Sequence, residues 1–323
     1  AAAESLILER KENGPFLNLQ DFLKRLNTRN VNKRCVEALA YSGAFDSFGI
    51  HRAQFFHKEN ETALSFIDIL MRHASHLQNI ASMNQHSLFG DSDETMLPEL
   101  KIHECEPFTQ FEQLKFEKEY TGFYIHDHPL SQYKLILRKK CNGNLEILKS
   151  ALKDNAEATF SLAGLVVGAR EKISKSNTKY GSFSLEDETG VYEFNLFGEQ
   201  YLKFKHFAEP GIFIFIELKV NKNYKTEKYE IRIQNISQIS DVEENISTAV
   251  VVMTVETLAG HYKDIVQKIK QGSGKIQIKI SLIGKMNDGT DYGCDFLMKN
   301  KKVNMDVMRY FDDLVGCKVT TLK

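Results

Sequence analysis

The sequence holds few side chains arranged for catalysis and many arranged for holding an anionic polymer. Asp91, Asp93 and Glu94 form a dense carboxylate group, but in a stretch without helical or strand periodicity, where solvated charge is the ordinary outcome. His126 and His128 bracket Asp127 and offer two imidazoles; a metal site needs a third and fourth ligand, and none stands at a suitable spacing. No phosphate-cradling glycine loop is present, no nucleophile with a plausible base, and no strand-borne carboxylate pair for two-metal chemistry. Cys35, Cys105, Cys141, Cys294 and Cys317 are odd in number and never closely spaced. That argues for reduced thiols in a cytoplasmic protein and against a disulfide framework or zinc site. The chain is therefore expected to be catalytically silent, with no metal and no cofactor.

Binding chemistry remains. Segment 170–180 sets Arg170, Lys172, Lys175 and Lys179 against Glu171, and segment 219–228 sets Lys219, Lys222, Lys225 and Lys228 against Glu227, a local charge of +3 each. Tyr180, Phe183 and Tyr224 lie in or beside them. Cations for phosphates next to rings for unpaired bases are what single-strand binding needs. Residues 22–34 carry five basic side chains and no acid, whereas 91–119 carry nine acids and three lysines, so the net charge of −1 conceals strong local patches. Those patches, more than bulk charge, must supply any attraction to nucleic acid. A separate oddity is Gln85-His86-Ser87-Leu88-Phe89, which puts two large apolar side chains in a polar stretch. Gln85 and Ser87 could set register at a pocket rim while Leu88 and Phe89 fill an apolar cleft on another protein.

The elements that must position these residues change character along the chain. At 323 residues, 42% of them hydrophobic, the chain is long enough for two or three domains with real cores. No run approaches the roughly eighteen apolar residues of a membrane helix, so no membrane partner is expected. It opens on Ala1-Ala2-Ala3-Glu4 without an initiator Met and reads as an excised fragment. Residues 1–83 show helical spacing: Asn27 or Thr28 is expected to cap a helix through Val31, Val36 and Leu39 that ends at Gly43. Ile67, Leu70, Ala74, Leu77 and Ala81 make a buried helical stripe. Residues 84–107 read as a linker, and 108–157 as a helical connector. Residues 158–240 hold five β-rich runs with a helical patch after the third, the outline of an OB-fold barrel. Residues 241–323 read as a small α+β domain. The fold class is thus multidomain α+β.

The phrases NVNKRCVEALAYSGAFDSFG, NQHSLFG, FEKEYTGFYIHDHPLSQY, FSLAGLVVGARE and FSLEDETGVYEFNLF, in this order, resemble the C-terminal part of the bacterial replicative polymerase, the DNA polymerase III alpha subunit. The resemblance runs the length of the chain. It implies that 1–83 is a helix-hairpin-helix module with its first hairpin truncated, contacting duplex DNA through Lys33, Arg34 and the Gly43 turn. Phe45 stands where the usual hairpin has a second glycine. It also implies that Gln85, Ser87, Leu88 and Phe89 bind the sliding clamp, a match to the pattern Q-x-[S/D]-L-F. By the same resemblance the OB-fold takes single-stranded template, with Arg170, Lys172, Lys175, Lys179, Tyr180, Phe183, Lys222, Tyr224 and Lys225 as contacts, and residues 241–323 dock on the clamp-loader tau subunit. The family's polymerase centre lies outside the matched region, so the parent would be the nucleotidyltransferase and this part not. The alternative is a stand-alone OB-fold DNA-binding adapter in repair.

Overall fold

The computed structural model describes residues 2–84, 100–173, 177, 179–224, 227–285 and 291–323. The chain forms two compact units, Ala1–Pro129 and Leu130–Lys323.

The first unit contains α1 (Ala2–Asn13), α2 (Leu19–Arg25), α3 (Lys33–Tyr41), α4 (Arg52–Phe56), α5 (Phe66–Asn84) and α6 (Gln110–Thr121). Local chemistry sets most of these ends. The Asn18 side chain accepts from the Asp21 amide, and Thr109 and Glu112 form a reciprocal capping box. Gly122, at φ 88°, closes α6 in the left-handed conformation. The expected cap at Asn27 or Thr28 is displaced to Asn32, which accepts from Cys35. The Asn27 carbonyl is instead taken by the Asn30 and Val31 amides in a turn, and Val31 and Val36 are both buried on either side of the true cap. Of the expected stripe on α5, Ile67, Leu70 and Ala74 have no exposure and join Phe22, Phe45 and Phe55 in one core, Leu77 packs against it partly buried, and the side chain of Ala81 lies outside the described residues. Each fully buried Ile, Leu or Phe among them contributes roughly 1.5–3 kcal/mol. Tyr41 stacks on Phe56 at 3.7 Å and on Tyr120 at 4.7 Å, fastening α6 to α3 and α4. The segment read as a 108–157 connector is thus divided, with α6 in this unit and the next two helices in the other.

The second unit begins with α7 (Lys134–Lys140) and α8 (Leu145–Lys153), followed by β1 (Ala158–Ile173), β2 (Lys179–Asp187), β3 (Gly190–Leu196), α9 (Gly198–Phe204), β4 (Phe213–Lys222) and β5 (Tyr229–Gln238). The sheet order is β3-β2-β1-β4-β5, every pair antiparallel. β1 is shared: residues up to Leu165 pair with β4, and residues from Leu165 onward pair with β2, with a bulge between Val166 and Gly168. A bulge bends a strand and raises its twist, which lets one strand serve both halves of a barrel. Gly164 sits at the crossover because a Cβ there would meet Leu185 Cγ at 2.5 Å and the Glu186 carbonyl at 2.7 Å. This strand order, with a helix between the third and fourth strands, is an OB-fold. Leu162, Val166, Phe183, Leu185, Phe194 and Ile216 fill its interior. Asp187 ties the β2–β3 turn to α8 by accepting from the Leu145, Thr189 and Gly190 amides.

The rest comprises α10 (Ile239–Glu244), β6 (Thr248–Thr254), α11 (Val255–Gln271), β7 (Ile276–Lys285), β8 (Asp291–Val303), α12 (Met305–Asp313) and β9 (Cys317–Leu322). The sheet order is β8-β7-β6-β9. β6 and β7 run parallel, joined by α11, which Thr254 caps. β9 escapes the sequence reading because its six residues, CKVTTL, follow a turn and carry little apolar alternation. Ala163 and Phe215, on the outside of the barrel, pack in the same cluster as Ile136, Val251, Met308 and Phe311. The barrel and the α+β domain therefore share a core.

Candidate nucleic-acid interface

β1 extends to Ile173 and β2 starts at Lys179, so Arg170, Lys172 and Lys179 are strand residues. Lys175 and Lys225 lie outside the described residues. Register brings acids against two of the expected cations. Lys172 Nζ is 2.7 Å from Glu193 Oε1, and Lys179 Nζ is 2.7 Å from Glu171 Oε1. The Tyr201 hydroxyl donates to the other Glu171 oxygen at 2.5 Å. The Lys179 hydrogen bond, then that of Tyr201, holds the Glu171 carboxyl below its ordinary value, and Lys172 does the same for Glu193. Arg170 is exposed and makes no ion pair among the described residues. It lies near enough to Glu193 to help lower that carboxyl, but no ion pair holds it, so it can turn toward a phosphate.

The aromatic residues divide. The Tyr180 ring stacks on Phe197, centroids 4.9 Å apart and planes 25° from parallel, and Phe197 is 57% exposed. Tyr224, in the turn after β4, is 86% exposed, and Lys222 beside it is half-buried. Phe183 does not belong with them. It is 1% exposed and stacks on Phe194 at 5.4 Å inside the barrel, so it offers no face to a base. Phe197 was missed in the sequence. It follows Phe194 and Leu196, which are buried, and its signal was the apolar residue one step past the end of the alternating run.

In the helical unit Lys33 is engaged, with Nζ 2.6 Å from Asp68 Oδ1 and 3.6 Å from Glu37 Oε1. Arg34 is exposed and makes no ion pair among the described residues. Gly43 adopts φ +84°, and a Cβ there would run into the Arg52 guanidinium and the Asp46 carboxylate. The amides of Ser42, Gly43, Ala44 and Asp46 all donate within the turn, to Ala38, Ala40, Leu39 and Gly43. The positive φ and the packing of an internal arginine are by themselves enough to require glycine here. Phe45 does not crowd the turn; it points into the core at 3% exposure.

Gln85, Ser87, Leu88 and Phe89 lie outside the described residues, immediately after α5 ends at Asn84. Among the described residues no three His, Cys, Asp or Glu side chains converge as metal ligands, and no helix is long and apolar enough to cross a membrane. All five cysteines are free, and burial pushes the Cys141 thiol up to about 12 and that of Cys317 to about 11.

A helix-hairpin-helix motif family matches residues 1–55. The DNA polymerase III subunit alpha of Caulobacter vibrioides is 33% identical over 218 residues, covering 68% of this chain and 18% of the relative. That of Bacillus subtilis is 29% identical over 271 residues, covering 84% of this chain and 22% of the relative. The mitochondrial single-stranded DNA binding protein Rim1 from S. cerevisiae is 19% identical, over 25% of this chain and 95% of its own, with a TM-score of 0.20. The OB-fold assignment rests on the strand order and not on that likeness. The chain spans about a fifth of the length of the relatives it matches. On the order of its motifs and the identity of its relatives, it belongs to the bacterial DNA polymerase III alpha-subunit family.

Proposed function

We propose that this chain is a non-catalytic, DNA-binding part of a replicative polymerase alpha subunit working in the cytoplasm, and that its OB-fold holds single-stranded template. The observation that carries this reading is the stack of half-buried Tyr180 on exposed Phe197 at the barrel edge, beside an Arg170 that no ion pair holds among the described residues. A solvent-facing ring pair contributes nothing to a core, while a base stacked on such a ring is worth about 1–3 kcal/mol. Replacing both Tyr180 and Phe197 by Ala should therefore weaken binding of an oligothymidine strand by roughly 5- to 150-fold. Arg170→Ala should reduce the slope of log affinity against log salt by about 0.7. Fluorescence anisotropy over a salt series reads both, and unchanged affinity in the aromatic variant would refute this assignment. The relatives' names favour this reading over a repair adapter.

Two partner readings accompany it. Gln85–Phe89 is proposed to tether the chain to the sliding clamp, with Leu88 and Phe89 as anchors, because its spacing suits a peptide lying in an apolar cleft. Truncating either anchor to Ala should weaken clamp binding by about 2 kcal/mol, roughly thirtyfold, while leaving the melting temperature in place. The reverse pattern, lost stability with intact clamp affinity, would mean that the anchors pack on this chain. Residues 241–323 are proposed to dock on the clamp-loader tau subunit, a role that rests on family membership. Of the helical unit's candidates for duplex phosphate, Lys33, Arg34 and Gly43, the exposed, unpaired Arg34 is the strongest.

A further inference from the structure

The barrel carries a second polar feature. A groove of about 530 Å³ lies between α9 and the outer faces of β4 and β5. Lys203 from α9, Lys219 from β4 and Arg232 from β5 line it, with Asn221 and Gln234 as amide donors and Glu199 as the acid. Three successive elements thus bring three cations to one concavity.

The electrostatics of this groove are costly without an anion. Lys219 and Arg232 are direct cross-strand partners, and like charges in that relation destabilise a strand pair. Elsewhere on the barrel cations are held by acids in ion pairs, as Lys172 is by Glu193 and Lys179 by Glu171. Here, among the described residues, none of Lys203, Lys219 and Arg232 makes an ion pair, and the lining carries three positive charges against one negative. The groove is also braced. Gln200 donates to the Ile233 carbonyl at 2.7 Å, pinning α9 to β5, and the Lys203 ammonium sits 4.8 Å from the Phe204 ring centroid.

The chemistry of the lining selects the ligand. Phe204 is the aromatic in it, and at 3% exposure it belongs to the core. Phosphates are therefore served and bases are not. On the other flank of α9 stand Phe197 and Tyr201, the latter bonded to Glu171. α9 divides a ring-bearing flank from a cationic one.

We propose that the groove between α9 and the β4–β5 face is a base-independent binding site for the phosphodiester backbone of a nucleic-acid strand. The inference depends on the DNA-binding reading above only for the polymer's identity; its residues are different.

The test uses the whole chain and two labelled strands, oligothymidine and an abasic phosphodiester of equal length, with inorganic triphosphate as a competitor. The variant Lys203→Ala/Lys219→Ala/Arg232→Ala should weaken both strands by the same factor, at least about tenfold, and lower the salt slope by about 2 for three lost phosphate contacts. Lys203→Arg/Lys219→Arg should recover the slope, which shows that charge and not a folding defect is responsible. Unchanged abasic-strand affinity and slope in the triple-alanine variant would overturn the proposal, as would failure of the wild-type chain to bind the abasic strand. Triphosphate competing as tightly as the strand would overturn it too, because the site would then be a pocket for a small anion. If loss of Tyr180 and Phe197 weakens oligothymidine while the triple variant changes nothing, the groove fails and the ring reading stands. If only the triple variant has an effect, the ring reading fails and the groove stands.

Discussion

Replacing Arg52 by Ala should destabilise the helical unit by about 3–5 kcal/mol, the usual consequence of leaving one partner of a buried ion pair uncompensated. Arg52 is 4% exposed and Glu117 1%, and Nη1 lies 2.8 Å from Glu117 Oε1. The same guanidinium reaches Asp46 Oδ2 at 2.7 Å and donates to the Tyr41 carbonyl at 3.3 Å. Glu117 has its other oxygen filled by the Ile125 and His126 amides, at 2.9 and 3.1 Å, and His126 Nδ1 lies 2.5 Å from Oε1. One arginine therefore fastens the Gly43 turn, α4, α6 and the segment after α6. Without it a carboxylate is left in a dry site.

Hydrogen exchange at the α3 and α6 amides reads this unit apart from the other, and a loss below about 1 kcal/mol would contradict the argument. Glu117 also sets a pH dependence. Burial alone pushes its carboxyl up, but the Arg52 hydrogen bond and the His126 and Ile125 amides outweigh burial, and the pKa is lowered from 4.5. A depressed folded value means the contribution is complete above the unfolded value and is lost as pH falls from about 4.5 through the folded one. Glu117→Gln should remove that part of the acid sensitivity while lowering stability near neutral pH.

Phe183→Ala should lower the stability of the barrel by about 3–5 kcal/mol and leave the strand affinity of the protein that remains folded unchanged. The ring is 1% exposed, stacked on Phe194, in a cluster with Leu185 and Leu196. Truncation opens a cavity that a barrel interior relaxes into only partly. The expected signature is a lower melting temperature with an unaltered binding isotherm at low temperature. Lost affinity with an unaltered melting temperature would mean that the ring faces the strand after all.

That variant marks the limit of what the residues reveal by themselves. Tyr180 and Phe183 are three apart on one strand, so alternation alone puts them on opposite faces. Which face is inside depends on how β2 registers against the bulged β1, a tertiary fact. The pairing of β1, β2 and β3 decides that Lys172 meets Glu193 and Lys179 meets Glu171, which local charge counts cannot reveal. The cations of the α9 groove are scattered through 203–232 and become a site only when the barrel brings three elements together. Gly43 was legible as a turn, but not its reason, because Arg52 and Glu117 meet across 65 residues of chain.

What the sequence determined alone was local: the apolar stripe at the start of α5 and the five strands interrupted after the third by a helix. Apolar periodicity and the succession of helices and strands along the chain rest on neighbouring residues, so neighbouring side chains suffice to specify them. Tertiary structure decided which cations stay unpaired and which rings stay exposed, because charge pairing and burial depend on partners that only long-range strand register and helix docking supply.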